Sequence, residues 1–151
     1  MMEKCKNGRI LLVTDVEYLE EGLGFGWVPY VVLITAYSKP SVEGVVLCKL
    51  VNMLLGRGAK SFICAGPFSE ALHDEIDRVI YERCEYFHAE EELEVTTTYH
   101  DDEPVDDVVG YFVYGASIPD TKSGGLLAII GEGGQEVRDC LNKYVTKDAL
   151  K

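Results

Sequence analysis

The chain lacks any apolar run long enough to cross a bilayer. Its apolar runs, such as Val31-Val32-Leu33-Ile34, extend over a few residues where roughly 20 are needed. It lacks any Cys-x-x-Cys pair: Cys5, Cys48, Cys64, Cys84 and Cys140 are scattered, which excludes zinc-type spacing and dithiol redox motifs. The opening residues, Met1-Met2-Glu3-Lys4-Cys5-Lys6, lead into a polar Asn7-Gly8 turn and not into the apolar segment of an export signal. An odd number of scattered cysteines without such a signal implies free thiols in a reducing compartment, so the expected localisation is cytoplasmic. Where those cysteines fall in a strand or on an apolar helix face, they are expected to act as small hydrophobes.

Positive charge is also scarce. Fourteen Lys and Arg face 26 Asp and Glu, a formal net charge of −12. That balance argues against nucleic acid, whose phosphates need a basic face, and against anionic membrane surfaces. The deficit is local. Between Arg83 and Lys122 there is no lysine or arginine, while Glu85, Glu90, Glu91, Glu92, Glu94, Asp101, Asp102, Glu103, Asp106, Asp107 and Asp120 all fall there. Solubility is the bland explanation. The sharper one is a patch that meets a basic partner or a cation.

What is present is ordinary globular material, 151 residues of which 47% are hydrophobic and 26% charged, enough for one domain with a real core. Arg9–Thr14, Tyr30–Ala36, Ser61–Ala65, Glu94–Tyr99 and Leu126–Ile130 read as strands, the second continuously apolar as in a sheet buried on both faces. Between them, helical spacing appears in Val42, Val45, Val46, Leu50, Met53 and Leu54, then in Leu72, Ile76, Val79 and Ile80, in Val105, Val108, Val109 and Phe112, and finally in Val137, Cys140, Leu141, Tyr144 and Val145. Ser38 and Ser41, Ser69, and Asp101 or Asp102 are the expected helix caps. The order β-β-α-β-α-β-α-β-α requires crossover connections. The expected fold is therefore a three-layer αβα sandwich with a mostly parallel sheet of about five strands, one α/β domain over 1–151.

Two segments carry a resemblance. Cys64-Ala-Gly-Pro-Phe-Ser-Glu-Ala-Leu-His-Asp-Glu-Ile-Asp77 and Thr96-Thr-Thr-Tyr-His-Asp-Asp-Glu-Pro-Val-Asp-Asp107 resemble a family of small uncharacterised bacterial α/β domains of unknown function. In that family a strand ending in a Trp-Gly turn precedes a helix, and a later Thr-Thr-Trp-His strand end runs into an acidic helix start. The likeness covers roughly residues 60–116. It departs at Ala65 and Tyr99, each standing where the family pattern has tryptophan. The resemblance implies the fold and supplies no activity.

Open parallel sheets place their sites beyond the carboxyl ends of the strands. That rule gathers Tyr37-Ser38, Cys64–Glu70, His100-Asp101-Asp102 and Gly131-Glu132, with His100 the principal titrating group. His73, Asp77, His100, Asp101 and Asp102 are the candidate metal ligands, because imidazole and carboxylate suit zinc or manganese. An i, i+4 pair such as His73–Asp77 is equally an ordinary surface contact. Cys64 and His100 are the candidate catalytic pair, though an acidic setting opposes a thiolate. Gly131-Glu132-Gly133-Gly134 has neither a dinucleotide fingerprint nor a Walker lysine and reads as a turn, so no cofactor is expected. Trp27, beside Phe25, Val28, Pro29 and Tyr30, is either an exposed anchor for a partner or a lid packed on the core.

The leading expectation is a non-enzymatic module of the immunity or antitoxin kind, or a defence accessory. It engages a protein partner with a basic surface through Asp101, Asp102, Glu103, Asp106, Asp107 and Trp27. The alternative is a metal-assisted hydrolase centred on His100.

Overall fold

The computed structural model describes residues 2–15, 29–38, 45–88, 90–115 and 125–146. In chain order the elements are β1 (Met2–Lys4), β2 (Ile10–Thr14), β3 (Pro29–Thr35), α1 (Val45–Gly56), β4 (Ser61–Ala65) and α2 (Ser69–Phe87). A 3-10 turn (Glu90–Glu94) then leads to β5 (Thr96–His100), α3 (Val105–Gly110) continuing as a π turn through Gly115, β6 (Gly125–Ile129) and α4 (Gln135–Leu141).

Among the described residues one sheet of six strands runs β1-β2-β6-β3-β4-β5. All neighbours are parallel except β1, which folds back antiparallel on β2. The α/β sandwich therefore has six strands and not about five. The missed strand, Met2-Glu3-Lys4, is too short and too polar to carry a hydrophobic pattern of its own. It is held by its hairpin partner, through the turn at Asn7-Gly8, where Gly8 takes a φ of 91°.

Alternate strand residues feed two separate cores, as a period of two demands. Leu12, Val32, Ile34, Phe62, Cys64, Leu127 and Ile129 pack beneath α1 and α2, against Leu50, Leu54, Leu72 and Ile76. Leu11, Val31, Leu33, Ile63, Ala65, Leu126 and Ala128 pack beneath α3 and α4, against Val108, Phe112, Val137 and Leu141. Double-sided burial explains why the central strands are apolar along their middles, with the buried polar residues Thr14, Thr35 and Ser61 confined to strand ends.

Expected inward positions are borne out at Leu50 and Leu54 on α1, at Leu72, Ile76, Val79 and Ile80 on α2, at Val108, Val109 and Phe112 on α3 and its π turn, and at Val137, Cys140 and Leu141 on α4. Met53, Val105, Tyr144 and Val145 are only half-buried, and Val42 lies outside the described residues. The expected caps of α2 and α3 are not borne out. Phe68 and Pro104 occupy the N-cap positions of α2 and α3, neither with a side-chain cap. Ser69 lies one residue inside α2, fully buried, with its hydroxyl unpaired. Pro104 already fixes an extended φ/ψ before the first turn, so the acids upstream of it are not needed as caps and stay in solvent. The last helix is shorter than its apolar spacing suggests. After Leu141 the chain tightens into a 3-10 turn, and Val145 bridges to Cys5 beside β1.

The chain steps outward from β3 to β4 to β5 through α1 and α2 on one face. It then returns through α3 on the other face and inserts β6 between β2 and β3. This reversal of strand order opens a crevice at the carboxyl ends of the central strands. Phe112, fully buried, anchors the return helix to the sheet. Phe112→Ala is expected to lower unfolding free energy by about 3–5 kcal/mol in chemical denaturation, the usual loss for a buried ring. A change under about 1 kcal/mol would contradict this packing.

Candidate functional site

A cavity of about 290 Å³ opens at that carboxyl rim. Its floor is Ala65, Val108 and Val137, and its walls come from the exits of three strands: Tyr37 after β3, Gly66 and Pro67 after β4, and His100, Asp101 and Glu103 at the end of β5. Glu136, in the first turn of α4, closes the fourth side. Among the described residues no lysine or arginine lines it.

Close backbone approach shapes the floor. Gly66 has a φ of 111°, and a Cβ there would lie 2.7 Å from the Ala36 carbonyl oxygen, so only glycine permits this turn. Across the crevice, the Gly131 N–H donates to Thr35 Oγ1 at 2.7 Å and ties the exit of β6 to the end of β3. Gly133, with a φ of 84°, lets the loop pass over Tyr37, whose Cβ would sit 2.8 Å from an added Cβ. Burial, then the neighbouring Glu136 carboxylate, pushes the Tyr37 hydroxyl above its ordinary pKa, so it stays protonated.

His100 is held at both ring nitrogens. Nδ1 contacts the Glu103 carboxylate, and Nε2 lies 2.9 Å from Thr98 Oγ1. A carboxylate only accepts, so Nδ1 carries the proton. In the neutral ring Nε2 is then left to accept from the Thr98 hydroxyl. The Tyr111 ring lies against the imidazole at a centroid distance of 5.6 Å. This histidine is therefore oriented and braced, and its basic lone pair is occupied.

The proposed catalytic pair is not assembled. Cys64 and His100 stand on neighbouring strands, but Cys64 is registered against Tyr99 and its side chain belongs to the core under α1 and α2, whereas His100 projects to the face carrying α3. Cys64 is fully buried, and that burial, reinforced by Asp77, pushes its thiol far above the ordinary range. A packed, protonated thiol is a hydrophobe and not a nucleophile.

The candidate metal ligands are divided in the same way. His73 Nε2 lies 3.5 Å from Asp77 and Nδ1 3.0 Å from Asp74, on the helix that covers the opposite face. Its ring stacks edge-on against Tyr99 at 5.1 Å. His100 takes Glu103, a residue three positions on, where Asp101 and Asp102 were the expected neighbours. Among the described residues, no group of three or more His, Cys, Asp or Glu side chains is placed to hold a metal ion. Strand alternation separates Tyr99 from His100, and with them the two histidine clusters.

The acidic stretch is contiguous in sequence but falls into two groups at opposite ends of β5. Glu90 and Glu94 are exposed at the amino end, where Glu92 is bound bidentately by Arg83 at 2.5 and 2.9 Å. Asp101, Asp102, Glu103, Asp106 and Asp107 gather at the carboxyl end. Within this second group, Asp106 is engaged in packing α3 on α4, accepting from Cys140 Sγ at 3.2 Å and from Tyr144 at 3.4 Å. Asp101, Asp102 and Asp107 are exposed, and no ion pair joins them to a cation among the described residues. Trp27 lies outside the described residues. Tyr37, Gly66 and Glu136 were not singled out as site residues for their chemistry. The strand-end rule alone pointed toward Tyr37 and toward Gly66 within Cys64–Glu70, and α4's first turn offered no signal for Glu136.

Fold and rim together define an α/β sandwich with a small acidic crevice at the carboxyl ends of its strands. The model of a family described as a domain of unknown function, DUF7684, matches residues 14–146, and the chain belongs to that family. No curated protein matches it. No helix among the described residues is long and apolar enough to cross a membrane.

Burial separates the five free cysteines into two classes. Burial also pushes the Cys5 thiol up to about 11. Under native conditions near pH 8, a maleimide should label the half-buried Cys48 and Cys84 while Cys5, Cys64 and Cys140 stay unmodified, as read by peptide mass spectrometry. Labelling of Cys64 as fast as Cys84 would refute its place in the core.

Proposed function

We propose that this chain is a non-enzymatic binding module that captures a basic protein partner at the carboxyl end of β5. The observation that carries this reading is the crevice itself: Asp101, Glu103 and Glu136 at its edge, Asp102 and Asp107 beside it, and no described cation among its walls. Exposed carboxylates without partners repel one another, and a cationic surface relieves that repulsion. The crevice is of a size for one long side chain, with an apolar floor for the stem of a lysine or arginine and carboxylates for its head. Tyr37 and the His100–Tyr111 pair supply aromatic faces beside it, which favour a cation further.

A partner whose activity depends on a basic surface, of the kind that immunity proteins and antitoxins neutralise, fits this chemistry, because complementary charge speeds encounter and rejects wrong partners. Free cysteines support a reducing compartment, so we place the encounter in the cytoplasm. The hydrolase alternative has less support. Its ligands are split across the sheet, and His100 has both nitrogens committed.

The test is a triple reversal, Asp101→Lys, Asp102→Lys and Asp107→Lys, which leaves the structural Asp106 intact. Proteins crosslinked to the native chain in its source cells should be basic and lost by the triple variant. They should also dissociate as salt rises from about 0.05 to 0.5 M, since screening shortens the reach of exposed charges. A partner retained by a folded triple variant would overturn the reading.

A further inference from the structure

β5 ends the sheet. Among the described residues it pairs with β4 alone, and the Thr96 N–H donates to the Lys60 carbonyl at 3.1 Å. In a parallel ladder this parity turns the amides of Thr96, Thr98 and His100 inward and leaves the N–H and C=O groups of Thr97 and Tyr99 facing outward. Among the described residues nothing pairs with that outer edge. The opposite edge is different: the Thr146 N–H donates to the Lys4 carbonyl, and Val145 bridges to Cys5 beyond it.

Exposed edges are normally blunted with lysine, proline, a bulge or an inward charge. Thr96-Thr-Thr-Tyr-His100 contains no lysine or proline, pairs with β4 in unbroken register, and consists largely of residues that favour strands. Tyr99 on one face and Tyr111 near His100 on the other stand partly exposed beside it. What guards this strand is charge at its ends. Two copies meeting antiparallel would set Glu90 and Glu94 of one against Asp101 and Asp102 of the other, acid upon acid. The described cations at the amino end are Arg83, already paired with Glu92, and Lys60, one strand inward.

We infer that β5 takes an added strand: an extended segment of the partner pairs its main chain with Thr97 and Tyr99 and sets a basic residue beside Asp101 and Asp102. The occupant's charge rests on the reading above; the main-chain pairing does not. Backbone pairing supplies affinity, and side chains at the ends supply selection.

The probe is the acetylated, amidated peptide Lys-Lys-Val-Thr-Val-Thr-Val, compared with the same peptide N-methylated at its five strand residues, which keeps the charge and removes the donors. Titration of the full chain, followed by amide NMR and hydrogen exchange, should show Thr97 and Tyr99 exchanging at least about tenfold more slowly at saturation. The methylated peptide should bind at least about tenfold more weakly. Equal affinities with no slowing would overturn strand addition, and the acidic rim would stand if Asp101→Lys with Asp102→Lys weakened both peptides. Slowing that persists in that double variant at unchanged affinity would uphold strand addition and sink the charge reading. No response to either peptide at millimolar concentration would overturn both. Protection that grows with protein concentration alone would assign the edge to a second copy and overturn the proposal.

Discussion

Burial of the sheet on both faces is the constraint from which the rest follows. With apolar side chains on both faces of every central strand, the helices must divide between the faces, and the chain must change direction to cover the second one. It does so after β5, and the return through α3 leaves the ends of β3, β4 and β5 uncovered at the rim. The crevice is a by-product of that turn. Its acidity is not: between β5 and the Pro104 that sets the entry of α3 stand Asp101, Asp102 and Glu103, of which Asp101 and Asp102 are not helix caps.

The same alternation that builds two cores also decides which chemistry is available. Tyr99 and His100 are adjacent in sequence and face opposite layers, so His73 with its carboxylates and His100 with Glu103 never share a volume. Cys64 follows the Tyr99 side and is lost to packing. His73 and His100 are each satisfied locally by an acid within four residues, which stabilises their orientation and leaves little freedom for ligation. Binding by surface charge and by backbone edge makes no such demand on side-chain convergence.

The strands buried on both faces were legible because continuous β-branched and aliphatic runs leave a strong pattern, and the inward helix residues because helical spacing does the same. β1 was not, since three residues carry no period and its pairing is set by β2 across a turn. The expected caps of α2 and α3 failed for a related reason. Ser69 and Asp101 are good cap residues in isolation, but Gly66-Pro67 and Pro104 already set the entry geometry of their helices. At the site, the strand-end rule placed His100 and its acidic neighbours at the rim. It could not show that His100 chooses Glu103, that Asp106 is spent on Cys140 and Tyr144, or that Glu136 arrives from a distant helix. The last two are contacts between elements, and no local pattern encodes them.

The central claim is that the rim crevice recognises a cationic side chain, beyond any general attraction of an acidic protein for cations. Amide NMR during titration with methylguanidinium tests it most directly. Shifts that saturate and cluster at Tyr37, Gly66, His100 and Glu136 are the predicted result. Shifts that never saturate, or that centre on Glu90 and Glu94 at the far end of β5, would contradict it.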